Sequence, residues 1–174
     1  GTAISDFSVE NLRNISNNPR INLNSKQHLK TYDPTLYVDI QLGINTPAYG
    51  SPSSIRRAHV DNPAKLFNAL LYFRSPKDNF SGGELLLHRF ISDQPIFSTP
   101  VDVLERDCFV SKVIPYRENT LVLLLNSIKS VHGVVERFNS PVERRYINIL
   151  GQFRYKLFDT CPFVRERELP RKVK

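Results

Sequence analysis

Apolar residues occur along the chain in short runs, separated by segments rich in Pro, Gly, Asn and Ser. Runs of this length with many β-branched and aromatic residues are typical of strands. The pattern predicts strands at residues 36–44, 55–60, 65–74, 83–90, 120–126, 130–135 and 145–153. It predicts one short helix, Val9–Leu12, capped by Asp6 or Ser8, and no clear element for residues 91–112. Many short strands and few helices favour a β-sandwich or barrel.

The size of the chain fits a single domain spanning residues 1–174. Its longest apolar runs, such as Leu121–Leu125, fall far short of the ~20 residues that a membrane span requires, and no signal peptide begins the sequence. We therefore expect a cytoplasmic protein with no membrane partner. Cys108 and Cys161 belong to no CxxC pair, so we expect two thiols, with a single disulfide as the alternative.

The formal net charge is +7, which raises the question of a nucleic-acid partner. Part of the excess lies in a C-terminal group of basic residues: Arg165, Arg167, Arg171, Lys172 and Lys174. No basic stripe with interleaved aromatic residues accompanies it, although bases stack on such residues. We interpret the group as a solvated tail and do not expect nucleic-acid binding.

His59 and Asp61 are two positions apart in a predicted strand. Side chains at i and i+2 point to the same face, so an imidazole and a carboxylate lie side by side and can bind one metal ion. His132, in another predicted strand, is the best candidate for a third ligand. Two histidines and one carboxylate on one face of a metal are the arrangement of non-haem Fe(II) oxygenases. His28 and His88 are not expected to bind metal.

The segments around these residues resemble a known family when taken in order. They are Arg57–Pro63, Leu70–Phe73, Ser81–Leu85, Ser130–Val134 and Arg144–Ile149. This order resembles the prolyl-hydroxylase-like branch of the Fe(II)- and 2-oxoglutarate-dependent oxygenases. The resemblance covers residues 37–153 and leaves extensions at both ends. It implies a double-stranded β-helix, or jelly roll, with a few flanking helices, and implies that His59, Asp61 and His132 bind iron.

The resemblance also implies a cosubstrate site on the strand after the distal histidine. Arg145 is the best match for the residue that binds the far carboxylate of 2-oxoglutarate, and Arg144 is the alternative, because a shift of one residue exchanges the faces. The arginine that does not bind is expected to form a surface salt bridge, for example with Glu143. Tyr72 is expected to bind the same carboxylate or to be an ordinary core residue. Leu85 and Leu87 are expected to line the pocket.

One feature departs from the family pattern. Relatives often carry Ser or Thr two or four positions after the arginine, whereas Ile147 and Ile149 occupy the positions counted from Arg145. Part of the usual carboxylate-binding shell is therefore missing if Arg145 is the binding residue.

The function implied is hydroxylation of a protein residue, an amino acid or a small metabolite, with release of succinate and CO2. The cofactors implied are Fe(II), 2-oxoglutarate and O2, with ascorbate as an optional reductant. Segments 45–54 and 91–111 are expected to form the substrate rim. The alternatives are a nucleic-acid demethylase of the same superfamily and a non-catalytic jelly-roll or cupin-like metal-binding module. The oligomeric state is not predicted.

Overall fold

The structure is a computed structural model that describes residues 36–52 and 56–165. The chain divides into two units, residues 1–36 and 37–174, and the account below concerns the second. The predicted helix Val9–Leu12 and His28 lie outside the described residues.

Seven strands form the described part of the chain. They are β1 (Tyr37–Asn45), β2 (Lys65–Tyr72), β3 (Leu85–Phe90), β4 (Cys108–Ile114), β5 (Thr120–Leu125), β6 (His132–Val134) and β7 (Arg144–Gln152). Two single-turn 3-10 helices, Glu105–Asp107 and Cys161–Phe163, are the only helices among the described residues. The prediction of a mainly β protein is confirmed, and the flanking helices are reduced, in this part of the chain, to those two turns.

The strands form two antiparallel sheets. The larger sheet has the order β1-β7-β2-β5, and the smaller has the order β4-β3-β6. Backbone bridges extend the smaller sheet beyond β6, because His59 pairs with His132 on one side and with Asp102 on the other. Two antiparallel sheets of this kind are compatible with a β-sandwich.

Alternation along the strands produces two separate apolar clusters. The first joins the two sheets and contains Leu70, Tyr72, Leu85, Tyr116 and Val122. The second contains Ala58, Val60, Phe97, Val103, Cys108 and Val131. Full burial of one such side chain contributes about 1.5–3 kcal/mol. The second cluster matters for function because three of its members alternate in sequence with the predicted metal ligands.

Three expectations about the elements need correction. β4 lies in a region left without an assignment, and several of its apolar side chains, such as Phe109 and Val113, are exposed. The strand expected at residues 55–60 is reduced among the described residues to the bridge at His59. Segment 91–111 was expected to form part of the substrate rim, but it also contributes the buried residues Phe97 and Val103 to the second apolar cluster.

Two expectations drawn from composition can be compared with the structure directly. Cys108 is buried, Cys161 is exposed, and both are free thiols. No helix in the described ranges is long and apolar enough to cross a membrane.

The outer face of the larger sheet is strongly apolar. Its two edge strands expose large side chains at alternate positions, namely Val38, Ile40, Leu42 and Ile44 in β1 and Leu121, Leu123 and Leu125 in β5. Single exposed apolar residues are common on protein surfaces, whereas a contiguous face of this size is not. The inner face of the same sheet combines the first apolar cluster with buried polar side chains such as Asn68 and Arg144.

The turn before β3 depends on two glycines with positive φ, Gly82 at 91° and Gly83 at 88°. A β-carbon on Gly82 would collide with the backbone carbonyl oxygen of Glu136. The turn therefore allows close approach to the segment that follows β6, and Gly83 N–H donates to the carbonyl oxygen of Val135 at 2.9 Å.

Replacing Gly82 with Ala should destabilise the protein by several kcal/mol, because a positive φ costs an L-residue about 1–2 kcal/mol and the backbone collision adds to it. Gly50 is the matched control, since its φ is 69° but a β-carbon there finds no atom within 4 Å. Gly50→Ala should show the conformational cost alone. Urea denaturation measures both, and equal losses would show that the close approach is unimportant.

Candidate metal centre

Local alternation places His59 and Asp61 on the same side of their segment. Ala58 and Val60, between and beside them, are buried in an apolar cluster, so the two polar side chains project the opposite way. The prediction that they share a face is confirmed. Backbone pairing fixes the residues on both sides of His59, since Val60 N–H donates to the carbonyl oxygen of Val101 and Val103 N–H donates to that of Ala58, each at 2.9 Å.

Backbone pairing brings the third residue of the set to this face. His59 and His132 exchange two hydrogen bonds, with N···O distances of 2.9 and 2.8 Å. Directly opposed residues in an antiparallel pair place their side chains on the same face. The His59 and His132 rings consequently lie with their centroids 4.4 Å apart.

The three predicted ligands form a compact, buried cluster. One ligand atom from each of His59, Asp61 and His132 lies within 4.8 Å of the others, and the residues are 5%, 4% and 6% exposed. A first-row metal with ligands at about 2.1 Å holds them roughly 3–4 Å apart. Small side-chain movements would therefore complete the set around a metal ion.

Backbone carbonyl groups orient both imidazole rings. His59 Nδ1 lies 2.7 Å from the carbonyl oxygen of Arg57, and His132 Nδ1 lies 2.9 Å from that of Ser130. A carbonyl oxygen only accepts, so each Nδ1 carries the proton and donates. Each Nε2 then presents a lone pair, the tautomer that a metal-binding histidine requires.

Burial keeps His59 neutral. Loss of solvent lowers the pKa of His59 from 6.5 to about 4, and the neighbouring His132 contributes in the same direction. A metal ion therefore meets a neutral imidazole at physiological pH and has no proton to displace from His59.

Two side chains hold the Asp61 carboxylate. Lys65 Nζ lies 3.0 Å from Oδ1, and Asn68 Nδ2 donates to Oδ2 at 3.2 Å. Burial acts to raise the pKa of Asp61, but the Lys65 ammonium and His132 outweigh it and hold the pKa below its ordinary value. Asp61 is therefore a carboxylate with both oxygens already oriented.

The structure reverses the order of the two candidate arginines. Arg145, preferred from the sequence, is exposed and forms an ion pair with Glu143 at 3.2 Å. Arg144 is 7% exposed, and its guanidinium carbon lies 4.8–5.1 Å from the ring centroids of three tyrosines, Tyr72, Tyr116 and Tyr146. The expectation that Arg145 faces the interior is wrong, because β7 begins at Arg144 and the faces are exchanged.

This correction also changes the residues that accompany the arginine. Counting from Arg144, the positions two and four residues later are Tyr146 and Asn148, both polar, instead of Ile147 and Ile149. Tyr146 pairs with Tyr72 across β2 and β7, so their side chains share the face of Arg144. Counted from Arg144, these positions hold polar instead of apolar side chains, although neither is Ser or Thr.

Arg144 opens onto a cavity of about 190 Å³. Among the described residues that line it are three arginines, Arg56, Arg137 and Arg144, and no acidic residue. Arg137 is neutralised by Asp78 at 2.8 Å, whereas no carboxylate lies within 4.0 Å of Arg144 in the described ranges. Val134 also lines the cavity; it is two positions after His132 in β6, on the same face and about 7 Å along the strand.

Several buried polar atoms on the inner face lack partners. Asn68 Oδ1, Asn148 Oδ1 and Arg144 Nη2 are inaccessible to solvent and form no hydrogen bond with the described residues. Such atoms are rare in folded proteins unless water or a ligand completes them. They lie on β2 and β7, between the carboxylate of Asp61 and the arginine cavity.

Tyr72 and Leu85 lie at the centre of the molecule. Tyr72 is fully buried beside Arg144; burial raises its pKa, and the Arg144 guanidinium opposes that effect. Its hydroxyl forms no hydrogen bond of ordinary geometry with the described residues. Leu85 is 1% exposed, and Leu87 packs against the same cluster. Leu87 pairs with His132, so these leucines form an apolar wall beside the ligands.

His88 faces a different environment. Its Nδ1 lies 3.7 Å from Cys108 Sγ, and it is not part of the ligand cluster. His88 therefore lies outside the candidate metal site.

Comparisons with known proteins give no relative for this chain. No family model, no curated protein and no solved structure matches it significantly. The interpretation of the site therefore rests on its own geometry.

Sequence reasoning missed the residues that support the site. Lys65 and Asn68 hold Asp61, and Tyr116 packs against Arg144 while its hydroxyl accepts from Arg145 N–H at 2.9 Å. No spacing in the sequence distinguishes them from ordinary strand and turn residues. Only the strand pairing places them here.

Removing either strand ligand should abolish tight metal binding. We expect His59→Ala and Asp61→Ala to weaken Co(II) affinity more than the roughly 10–100-fold that outer-shell changes cost. Calorimetric titration measures the affinity, and the Co(II) visible spectrum reports the coordination. His88→Ala is the matched control and should bind as the wild type does; equal binding by all four proteins would refute the assignment.

The metal-free protein should lose stability as the pH falls from about 6.5 towards 4. The pKa of His59 is lower in the folded state, so the unfolded chain takes up the proton first in this window, and protonation favours unfolding. The lowered pKa of Asp61 acts only below its unfolded value of 3.8. Urea denaturation in the presence of chelator should give a shallower pH dependence for His59→Gln. His88, whose pKa burial also lowers, is tested in parallel, and an unchanged slope in His59→Gln would contradict the expectation.

Proposed function

We propose that this protein is an Fe(II)- and 2-oxoglutarate-dependent oxygenase that hydroxylates a C–H bond in a protein residue, an amino acid or a small metabolite. One observation carries the proposal. Val134, two positions after His132 on the same face of β6, links the buried two-histidine, one-carboxylate cluster to a cavity lined by Arg144, which has no carboxylate partner among the described residues. Metal-binding sites are common in proteins. A buried cation that lies near such a site and has no carboxylate partner is uncommon.

The proposed architecture is a jelly roll. Successive segments change sheet repeatedly: β1 and β2 belong to the larger sheet with the His59 bridge between them in the smaller, and β5, β6 and β7 alternate in the same way. This exchange places the ligands on the smaller sheet and Arg144 on the larger. The metal and the cosubstrate would then be held from opposite walls.

The ligand set fits Fe(II). Two imidazoles and one carboxylate match the donors that this metal takes in oxygenases, and three protein ligands leave positions open for small molecules. When bound, iron would support oxidation by O2 with 2-oxoglutarate as the co-reductant, so that one oxygen atom enters the substrate and the other enters succinate, with release of CO2. Asp61 supports hydroxylation over halogenation by family resemblance, since related halogenases have a small residue at that position.

Arg144 would bind the far carboxylate of 2-oxoglutarate. A planar guanidinium can hold a carboxylate with two parallel hydrogen bonds, and Nη2 has no acceptor among the described residues. Its Nε is fixed by the carbonyl oxygen of Gly83 at 3.3 Å, and aromatic rings surround it. Tyr72 and Tyr146 offer hydroxyls on the same face.

The remaining groups orient the reactants and exclude water. Leu85, Leu87 and Val134 form an apolar wall near His132. Because these apolar side chains exclude water, they strengthen the electrostatic attraction between Arg144 and an anionic ligand. The unpartnered oxygens of Asn68 and Asn148 are available to a polar ligand or its bound water.

Arg144→Met should abolish 2-oxoglutarate binding while leaving metal affinity nearly unchanged, because Arg144 touches no metal ligand. Anaerobic titration of the Fe(II) protein with 2-oxoglutarate, followed by the visible charge-transfer band of the chelate, measures this. Loss of a bidentate charged pair should weaken binding by at least about 10-fold.

Arg145→Met is the matched control, since it removes the same group from the neighbouring, exposed position. It should bind 2-oxoglutarate as the wild type does. A wild-type protein that binds Fe(II) but never develops the band would overturn the cosubstrate assignment, and a selective loss in Arg145→Met would restore the choice made from the sequence.

A further inference from the structure

Lys65 occupies one oxygen of the only carboxylate in the ligand set. Its Nζ lies 3.0 Å from Asp61 Oδ1, and the two side chains are 18% and 6% exposed. A contact of this length between a partly buried ammonium and a buried carboxylate is a charge-assisted hydrogen bond. Oδ1 therefore already has a strong, oriented partner before any metal arrives.

The other carboxylate oxygen faces the histidines. His132 Nε2 lies 3.9 Å from Asp61 Oδ2, and Asn68 Nδ2 donates to that same oxygen at 3.2 Å. An ionised oxygen can accept more than one interaction, so Oδ2 remains able to bind a metal beside its contact with Asn68. Oδ1 thus binds the Lys65 ammonium, and Oδ2 remains available to the metal.

An irregularity in β2 makes this division geometrically feasible. Lys65 and Asn68 are three positions apart, so in a regular strand they would point to opposite faces. The pairing of β2 with β7 shifts register between Lys65 and Phe67, and a bulge of this kind redirects a side chain. As a result both Lys65 and Asn68 reach Asp61.

The turn before β2 fixes the backbone of Lys65. Lys65 N–H donates to the carbonyl oxygen of Asn62 at 2.8 Å. The Asn126 side chain donates to the carbonyl oxygens of both Asn62 and Lys65, at 2.8 and 3.0 Å. The turn thus fixes the backbone position from which the Lys65 side chain reaches Asp61.

We propose that Lys65 is a positioning residue that restricts Asp61 to one-oxygen metal binding and so keeps a coordination position open. This inference rests on the metal site of the proposed function and adds a determinant of its coordination number. Without the ammonium, Oδ1 would be free to turn towards the metal. A carboxylate bound through both oxygens would then occupy one more coordination position on the metal. That position would no longer be available to a cosubstrate that binds through two atoms, or to a further small ligand.

The test counts water molecules on the metal with Mn(II) alone as the probe. Inner-sphere waters of bound Mn(II) are measured by water-proton relaxation, and affinity is measured in the same titration. We expect Lys65→Met to hold about one water fewer than the wild type, with no loss of Mn(II) affinity, and Lys65→Arg to restore the wild-type count. Lys112→Met, at an exposed position of β4, is the matched control and should not change it.

The outcomes separate the inference from the proposed function. No Mn(II) binding by the wild type refutes the metal site itself and the inference with it. Mn(II) binding with equal water counts in wild type and Lys65→Met refutes the inference alone, as does a large loss of affinity in Lys65→Met.

A second measurement covers failure of Lys65→Met to fold. The wild-type protein is labelled with 13C-aspartate, and its infrared carboxylate bands are compared with those of Asp61→Asn on addition of Mn(II). A wide separation of the two Asp61 stretching bands, typical of one-oxygen binding, supports the inference. A narrow separation overturns it.

Discussion

The backbone pair between His59 and His132 is the interaction on which the site depends. Two hydrogen bonds, of 2.9 and 2.8 Å, join segments that are distant in the sequence and add the His59 segment to the smaller sheet. Because opposed residues share a face, this single pair fixes the relation of two ligands, and the i+2 position of Asp61 supplies the third. The apolar residues on the opposite face, including Val60 and Val131, anchor the pair by their burial. Disrupting that packing would disperse the ligands without altering any of them.

The larger sheet contributes an unusual polar interior. Arg144 is a buried cation with aromatic rings and one carbonyl oxygen as its described neighbours, and burial of a charge without a counter-ion is costly. Unpartnered amide oxygens at Asn68 and Asn148 add to that cost. An anion bound in the cavity would offset part of that cost, which is consistent with the proposed cosubstrate site.

The sequence allowed the cluster of His59, Asp61 and His132 to be predicted, but not which arginine is buried. His59 and Asp61 follow from strand periodicity, which depends only on their spacing. Arg144 and Arg145 are identical neighbours, so no composition or spacing separates them; their faces depend on the residue at which β7 begins and on the pairing of Tyr146 with Tyr72. Lys65 was not predicted for a related reason. The irregularity that redirects its side chain is a feature of the pairing of β2 with β7 and leaves no signal in the sequence. β4 was missed because its exposed apolar residues do not alternate with polar ones.

The three tyrosines around Arg144 are ultraviolet chromophores close to the charge that lines the cavity. The chain contains seven tyrosines and no tryptophan, so ultraviolet emission and near-ultraviolet dichroism come chiefly from tyrosine and are not masked by indole. Tyr72, Tyr116 and Tyr146 hold their rings in fixed orientations about one charge, and two of these rings lie 5.2 Å apart nearly edge to face. Neutralisation of that charge by a ligand changes the electric field at all three chromophores together. The unlabelled protein therefore carries its own spectroscopic reporter of the occupancy of this cavity.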